Sequence, residues 1–445
     1  MKKENIVILG GGITGLVSAY YLSKKFNVTL IEKDKNVGGT ASSFVHGEFI
    51  IDYGPHKIYT EIPNIIEEIN NLVPLIKVKK KNSIFLNNNF YSFPLKITQV
   101  ATKMPLTAFK SGLEILTKPF SKRPEDSYEN YLINRFGSTL YNLSFKDYAK
   151  KVWNSNPNDL DAELAKRRVA VSGIFELIKT TIFKDNKKIS AEYFYYPEMG
   201  IKQLLDNLVK NIKLNGGKIL IDQKVSEIVI KGKKVDYLKI SNKKIKPDYL
   251  ISTIPIDSLL KLVKPKISID VSQFNYQKLN ILYFVLNKSK VLKDCWIFFP
   301  EEKFLFQRIS EQKAFSPNTS PQDKTILMVE TTQEINKNVI DTIINQLISI
   351  KILKKEEILD YFSYSLEKAY PIYKKGFKEN LSLLVNKINE LDNFFILGRQ
   401  GMFNYNNMDQ CWDMARKLSE HISVGRSKKE WKETEKYFEN YRIID

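Results

Sequence analysis

Three histidines and two cysteines in 445 residues leave little material for metal or thiol chemistry. Cys295 and Cys411 are too few for a disulfide framework and lack metal-site spacing. The histidines stand apart at positions 46, 56 and 421, so the sequence implies no metal. Long apolar runs are missing too, and no stretch approaches the roughly 18 residues that a bilayer-spanning helix needs. The opening Met-Lys-Lys is how a secretory signal can begin, but the apolar residues behind it soon dissolve into a glycine turn. The cytoplasm is therefore the expected compartment.

Acidic residues are also in deficit: 50 Asp and Glu face 69 Lys and Arg, for a net charge of +19. Lysines dominate the excess, in patches at 77–81, 231–234 and 243–246 that read as strand ends and hairpin turns. Neither a basic helix nor a basic groove interleaved with aromatics is evident, so nucleic acid is not an expected partner. A solvated surface is the favoured reading of the patches. Peripheral contact with an acidic lipid surface, or a phosphate-bearing substrate, stays open. A content of 43% hydrophobic and 27% charged residues describes a folded globular chain, long enough for two connected domains.

Residues 5–40 carry the strongest pattern. Ile6, Val7, Ile8 and Leu9 read as a buried parallel strand that enters Gly10-Gly11-Gly12-Ile13-Thr14-Gly15, a G-x-G-x-x-G turn. Leu16, Ala19, Tyr20 and Leu22 recur at helical spacing, and a second apolar run, 28–31, ends in Glu32. Gly10 permits the tight turn, Gly12 leaves room for a pyrophosphate against bare backbone, and Gly15 lets the helix pack close to the sheet. The helix start at Ile13 and Thr14 offers N–H groups and a positive dipole end to phosphates. Glu32, followed by Lys33, stands about 20 residues beyond the first glycine, where a carboxylate accepts from ribose hydroxyls. All parts being present in register counts against a turn that merely reverses the chain.

Such a unit can hold NAD, NADP or FAD. Gly38-Gly39-Thr40 decides between them, because a second glycine pair after the acid resembles the extension of two-dinucleotide-binding-domain flavoproteins, whose extra loop lies along FAD. Thr40 stands where amine oxidases usually have arginine. FAD is the expected cofactor.

Further along, 48–56 reads as a strand entering a turn, with His56 either a satisfied structural histidine or a neighbour of the flavin. Residues 61–199 look mostly helical, apart from a hairpin at 83–95 turning at 87–89 and a helix start capped by Asp126 or Ser127. A helix at 202–213 is followed by strands at 218–221, 225–230 and 235–240, and a buried strand at 248–255. Strands are expected at 271–286 and 296–300, and a buried strand ends at Gly398 before a helix starting near Met408. Residues 423–445 read as a polar helix with Trp431, Tyr437 and Phe438 on one side, packed on the body.

Several strings place these elements in a family. Asp52-Tyr53-Gly54-Pro55-His56, Tyr148 to Trp153 followed by 156–160, Phe306 to Glu311, Ala369 to Tyr373, and Gly398-Arg399 through Tyr405 to Asp409 resemble, in order, segments of the UDP-galactopyranose mutases. These belong with amine oxidases and protoporphyrinogen oxidases in one superfamily. The resemblance implies an α/β fold, with a Rossmann-type FAD-binding domain (1–60, 200–255 and 388–425) interleaved with an α+β substrate domain (61–199 and 256–387). Residues 426–445 would form a helical tail. It also implies that Val225 lies beside the adenine, and that Gly398, Arg399, Asn407, Met408 and Asp409 lie near the flavin or ribityl chain. Trp153 would stack on substrate, or else pack in the core. Tyr370 and Tyr405 would wall the pocket, with Arg308 and Arg399 holding an anionic substrate and His56 as the candidate base. At the family's third phosphate-binding arginine stands Val171, and helical geometry is expected to aim Arg168 elsewhere. That departure puts an FAD-dependent oxidoreductase first among the expected functions. A non-redox nucleotide-sugar mutase comes second, and a non-catalytic flavin-binding protein third.

Overall fold

The run 6–9 is apolar on both faces because both are covered. In the computed structural model, which describes residues 3–117, 122–169 and 192–443, Asn5–Leu9 is the middle strand of a five-stranded parallel sheet. The strand order is Phe394–Ile396, Tyr249–Ser252, Asn5–Leu9, Asn27–Ile31 and Lys218–Leu220, so distant parts of the chain build one sheet. The helix Ile13–Leu22 packs against it and against the helices Gly200–Leu214 and Met408–Ser423. Its close approach depends on one missing atom. A Cβ at Gly15 would stand 1.9 Å from the carbonyl oxygen of Gly10.

A second, seven-stranded sheet is mostly antiparallel. Its order is Ile358–Ile372, Asn275–Leu286, Thr325–Thr331, Arg308–Glu311, Trp296–Phe298, Asn82–Leu86 and Asn89–Ser92. Register in this sheet places Arg308 directly across from Glu330, and Gln277 from Tyr370. Directly opposed side chains are the nearest neighbours a sheet offers.

Several expectations hold. The hairpin turns on Asn87 and Asn88, both in the left-handed region (φ 47° and 58°), the pair of conformations that a two-residue turn between twisted strands requires. Ser127 caps the helix Tyr128–Tyr141 by accepting from the Asn130 amide at 3.2 Å.

Others need correction. The stretch 61–199 also holds, among its described residues, a strand pairing that was not expected, in which Leu75–Lys79 pairs antiparallel with Tyr193–Pro197. Apolar Ile76 and Val78 alternate there with Lys77 and Lys79, the two-residue period of a strand. The strand expected from 271 begins at Asn275, because the Asp270 carboxylate caps a short turn at Val271–Gln273. In the tail helix Lys428–Phe438, Trp431 and Phe438 are buried seven residues apart, while Tyr437 is 42% exposed. One residue is about 100° of helical rotation, enough to turn Tyr437 off that face.

Candidate functional site

The carboxyl ends of the parallel strands open into a cleft of about 820 Å³, whose lining also includes residues of the seven-stranded sheet. Open α/β sheets bind ligands at this edge. Gly10, Gly12, Ile13, Thr14, Glu32, Lys33, Gly38, Gly39, Thr40 and Val225 line one part of it. The Gly38 amide donates to the Gly11 carbonyl at 2.7 Å, which ties the second glycine pair to the first turn. Glu32 accepts from the amides of Gly11 (2.5 Å) and Asp34 (2.9 Å). A carboxylate has about four acceptor positions, so ribose hydroxyls still find room.

The other part of the lining includes His56, Arg168, Arg308, Glu330, Tyr370, Arg399, Tyr405, Asn407 and Met408. Arg308 donates Nε and Nη2 to the two Glu330 oxygens at 2.8 and 2.9 Å, a forked pair set up by the cross-strand register. Tyr370 and Tyr405 stack with ring centroids 5.5 Å apart, and the Arg399 guanidinium lies 5.0 and 4.3 Å from them. Arg399 donates Nη1 to the Asn406 carbonyl at 3.1 Å, while its Nε and Nη2 are buried without a partner among the described residues. His56 Nδ1 is in the same position. Burial, joined by the charges of Arg308 and Arg399 and opposed by Asp52, holds the His56 imidazole below its ordinary pKa, hence neutral.

Buried polar atoms without partners call for an explanation, and six of those among the described residues belong to side chains that line the cleft: His56 Nδ1, Gln307 Oε1, Arg399 Nε and Nη2, Gln400 Oε1 and Asn406 Oδ1. A dinucleotide with a polar ring at its far end supplies what both parts lack. The residues therefore fit FAD.

Not every expected residue reaches the cleft. Gly15 and Gly398 lie behind it and serve packing, since a Cβ on Gly398 would meet Thr14 Oγ1 at 2.5 Å. Trp153 is 2% exposed and packs edge-on behind Tyr370 and Tyr405, at 5.9 and 5.8 Å. It is a core residue, positioned to stiffen the tyrosine wall. Asp409 is buried in the first turn of Met408–Ser423, hydrogen-bonded to Thr60 and away from the cleft. Burial raises its pKa to about 6. Because the folded value lies above the unfolded one, ionisation costs the folded state nothing below pH 4 and about 2–3 kcal/mol once the pH has risen past 6. Asp409→Asn is accordingly expected to raise stability against urea by up to that amount at pH 8 and to leave it unchanged at pH 4. Equal effects at both pH values would show that burial does not raise the pKa of this carboxyl.

Arg168 reverses an expectation. It lines the cleft and donates Nη1 to the Tyr405 hydroxyl at 2.7 Å, with its guanidinium 5.1 Å from that ring. The C-terminal end of the helix Ala162–Arg168 is docked on the segment 404–405, where the neighbouring Arg167 donates to Asn404, and this packing brings Arg168 to Tyr405. Val171 lies outside the described residues.

Glu330 and Lys151 were not visible in the sequence as site residues. Lys151 is within the string 148–153, yet its Nζ sits among four carbonyl oxygens, of Phe299, Glu301, Phe304 and Phe306, at 2.6 to 3.2 Å, which its three N–H donors share. It pins the helix Asp147–Trp153, which carries the cleft-lining Tyr148 and Val152, to the loop before Arg308.

Comparison with known proteins agrees with this construction. Residues 143–405 match the family profile described as UDP-galactopyranose mutase, and residues 8–69 that of an NAD(P)-binding Rossmann-like domain. A probable UDP-galactopyranose mutase of Klebsiella pneumoniae is 23% identical over 177 residues, 38% of this chain and 45% of that protein, so the match spans less than half of that relative's length. Protoporphyrinogen oxidase 2 of Arabidopsis thaliana is 23% identical across 89% of each chain. The crystal structure of a reduced UDP-galactopyranose mutase superposes with a TM-score of 0.84 at 20% identity, covering 95% of this chain and 96% of that one, which shows a shared fold. With the glycine cradle, the arginine and tyrosine wall and a profile match over more than half of its length, this chain belongs to the UDP-galactopyranose mutase family.

Proposed function

We propose that this protein is a flavoenzyme that binds a nucleotide sugar by its diphosphate and rearranges the sugar without net oxidation. The observation that carries the reading is the presence of Arg168, Arg308 and Arg399 around one tyrosine pair in the FAD-fitting cleft. Guanidinium forks bind phosphate oxygens in pairs, and burial strengthens each contact. Bound FAD in its reduced form supplies an electron pair at N5. Arg168 and Arg399 hold the diphosphate while its bond to the anomeric carbon opens and closes again. Glu330 keeps Arg308 oriented, and Tyr370 and Tyr405 confine the sugar. Neutral His56 offers Nδ1 to the cofactor or substrate without placing another positive charge in the site.

The second reading, oxidation of an anionic substrate with hydride passing to FAD, is favoured by the match to protoporphyrinogen oxidase 2 over 89% of both chains. An anaerobic experiment separates the two. Dithionite-reduced enzyme is expected to interconvert ring forms of a UDP- or dTDP-hexose, and the oxidised enzyme is expected to keep its flavin absorption with the same compounds. Bleaching by substrate, with no interconversion by the reduced enzyme, would establish the oxidase reading instead. Arg168→Ala is expected to raise KM for the nucleotide sugar about tenfold or more and to change kcat less, because it removes a binding contact. An unchanged KM would remove Arg168 from the substrate site.

A further inference from the structure

We propose that the helix Pro105–Thr117 docks the protein on an anionic phospholipid surface. The inference is independent of the substrate reading. Leu106 is 77% exposed and Phe109 67%, three residues apart, with Leu113 a further turn along and about half exposed. Large apolar side chains in line on one helix face are an unusual surface to leave in water. The opposite side of the helix faces the body: Ser111 is buried, and Glu114 accepts from the Thr139 amide and hydroxyl at 3.0 and 2.8 Å.

The charge around this face is one-sided. From Lys96 to Arg123 the sequence holds six lysines and arginines and a single acid, Glu114, and the next two acids, Glu125 and Asp126, are paired with Arg135 and Lys375. Lys96, Lys103, Lys110, Lys122 and Arg123 are all exposed, and the one acid is turned inward onto Thr139. Lys110 stands one helical turn beyond Leu106, at the margin of the apolar face. From there its long aliphatic stem can follow the apolar side chains while its ammonium meets phosphate.

A helix of 13 residues is about 20 Å long, too short to span a bilayer, and no helix among the described residues is long and apolar enough to do so. An apolar stripe rimmed by lysine suits the plane of the interface, with Leu and Phe at the acyl boundary and lysines at the headgroups. A second copy of the chain fits less well, since a two-fold contact would set this basic face against itself. Nucleic acid would use the lysines but leave Leu106 and Phe109 in water.

Co-sedimentation of the full-length, FAD-loaded protein with vesicles tests the assignment. Binding to phosphatidylcholine–phosphatidylglycerol vesicles is expected to exceed binding to pure phosphatidylcholine at least tenfold, and to weaken with salt. The double variant Leu106→Ser/Phe109→Ser is expected to lose about tenfold or more in partitioning. Lys103→Gln and Lys110→Gln are each expected to lose about fivefold. These positions are exposed, so flavin absorption and melting temperature should not move, and the lysine variants carry the test if the apolar one fails to fold. Equal binding to both vesicle types, no binding to either, or binding indifferent to all four residues overturns the proposal. Light scattering that shows a wild-type dimer dissociated by Leu106→Ser/Phe109→Ser assigns the face to a second copy and likewise overturns it.

Discussion

Arg399→Ala is expected to lower kcat/KM by about a thousandfold, the scale of losing a preorganised donor in a site shielded from water. The magnitude follows from how Arg399 is held. One nitrogen donates to the Asn406 carbonyl, the cation lies over Tyr370 and Tyr405, and Nε and Nη2 are buried with no acceptor among the described residues. The fold thus desolvates a guanidinium and leaves two of its donors unmet until cofactor or substrate arrives. Such an arrangement is costly in the free protein and gains most when negative charge appears beside it. Arg399→Lys is expected to recover little, because a single ammonium cannot reproduce a planar fork. The measurement is steady-state kinetics with flavin content determined on the same samples. A loss of tenfold or less with FAD retained would sink the assignment under both the mutase and the oxidase readings.

Gly15→Ala is expected to cut flavin loading to below about a tenth and to lower the melting temperature. The added methyl carbon would stand 1.9 Å from the Gly10 carbonyl oxygen, where no Cβ is tolerated. Neither side can yield cheaply. Gly10 is held by its N–H, which donates to the Ile31 carbonyl at 2.9 Å, and by the strand behind it, and Leu16 is fully buried in the core. Relief comes only if the helix Ile13–Leu22 moves off the sheet, which shifts the amides that line the cradle. Gly112→Ala is the matched control. It places a methyl group in open space on an exposed helix and should stabilise the protein by about 0.5–1 kcal/mol. Normal FAD content in Gly15→Ala would mean that the cradle does not depend on this packing.

The cofactor half of the site was legible in the sequence because it is local. Gly10 to Gly15, Glu32 and Gly38 to Thr40 lie within 31 residues, and their roles follow from backbone conformation and spacing along one strand–turn–helix–strand unit. The substrate half was only partly legible. Arg308, Tyr370, Arg399 and Tyr405 were found through strings resembling a family, and the structure brings them to one wall. The sequence leaves Trp153 open between substrate and core, and Asp409 open between the ribityl chain and a first-turn acid, because string position does not say which side of a wall a residue occupies. The structure places both behind the cleft, Trp153 in the core and Asp409 in the first turn of its helix.

What the sequence determined by itself is the nucleotide-binding unit, a hairpin turning within 87–89 and a helix start capped by Asp126 or Ser127. Each depends on hydrogen bonds and dihedral preferences within a few residues. What only the tertiary structure decided is the electrostatics of the cleft. Glu330 faces Arg308 because two strands pair in one register, and a shift of one residue would put the two side chains on opposite faces. Arg168 reaches Tyr405, 237 positions away in the chain, because the end of its helix is docked on the segment 404–405, where Arg167 donates to Asn404. Contacts at such separations are set by how the sheets and helices pack, and no local pattern encodes them.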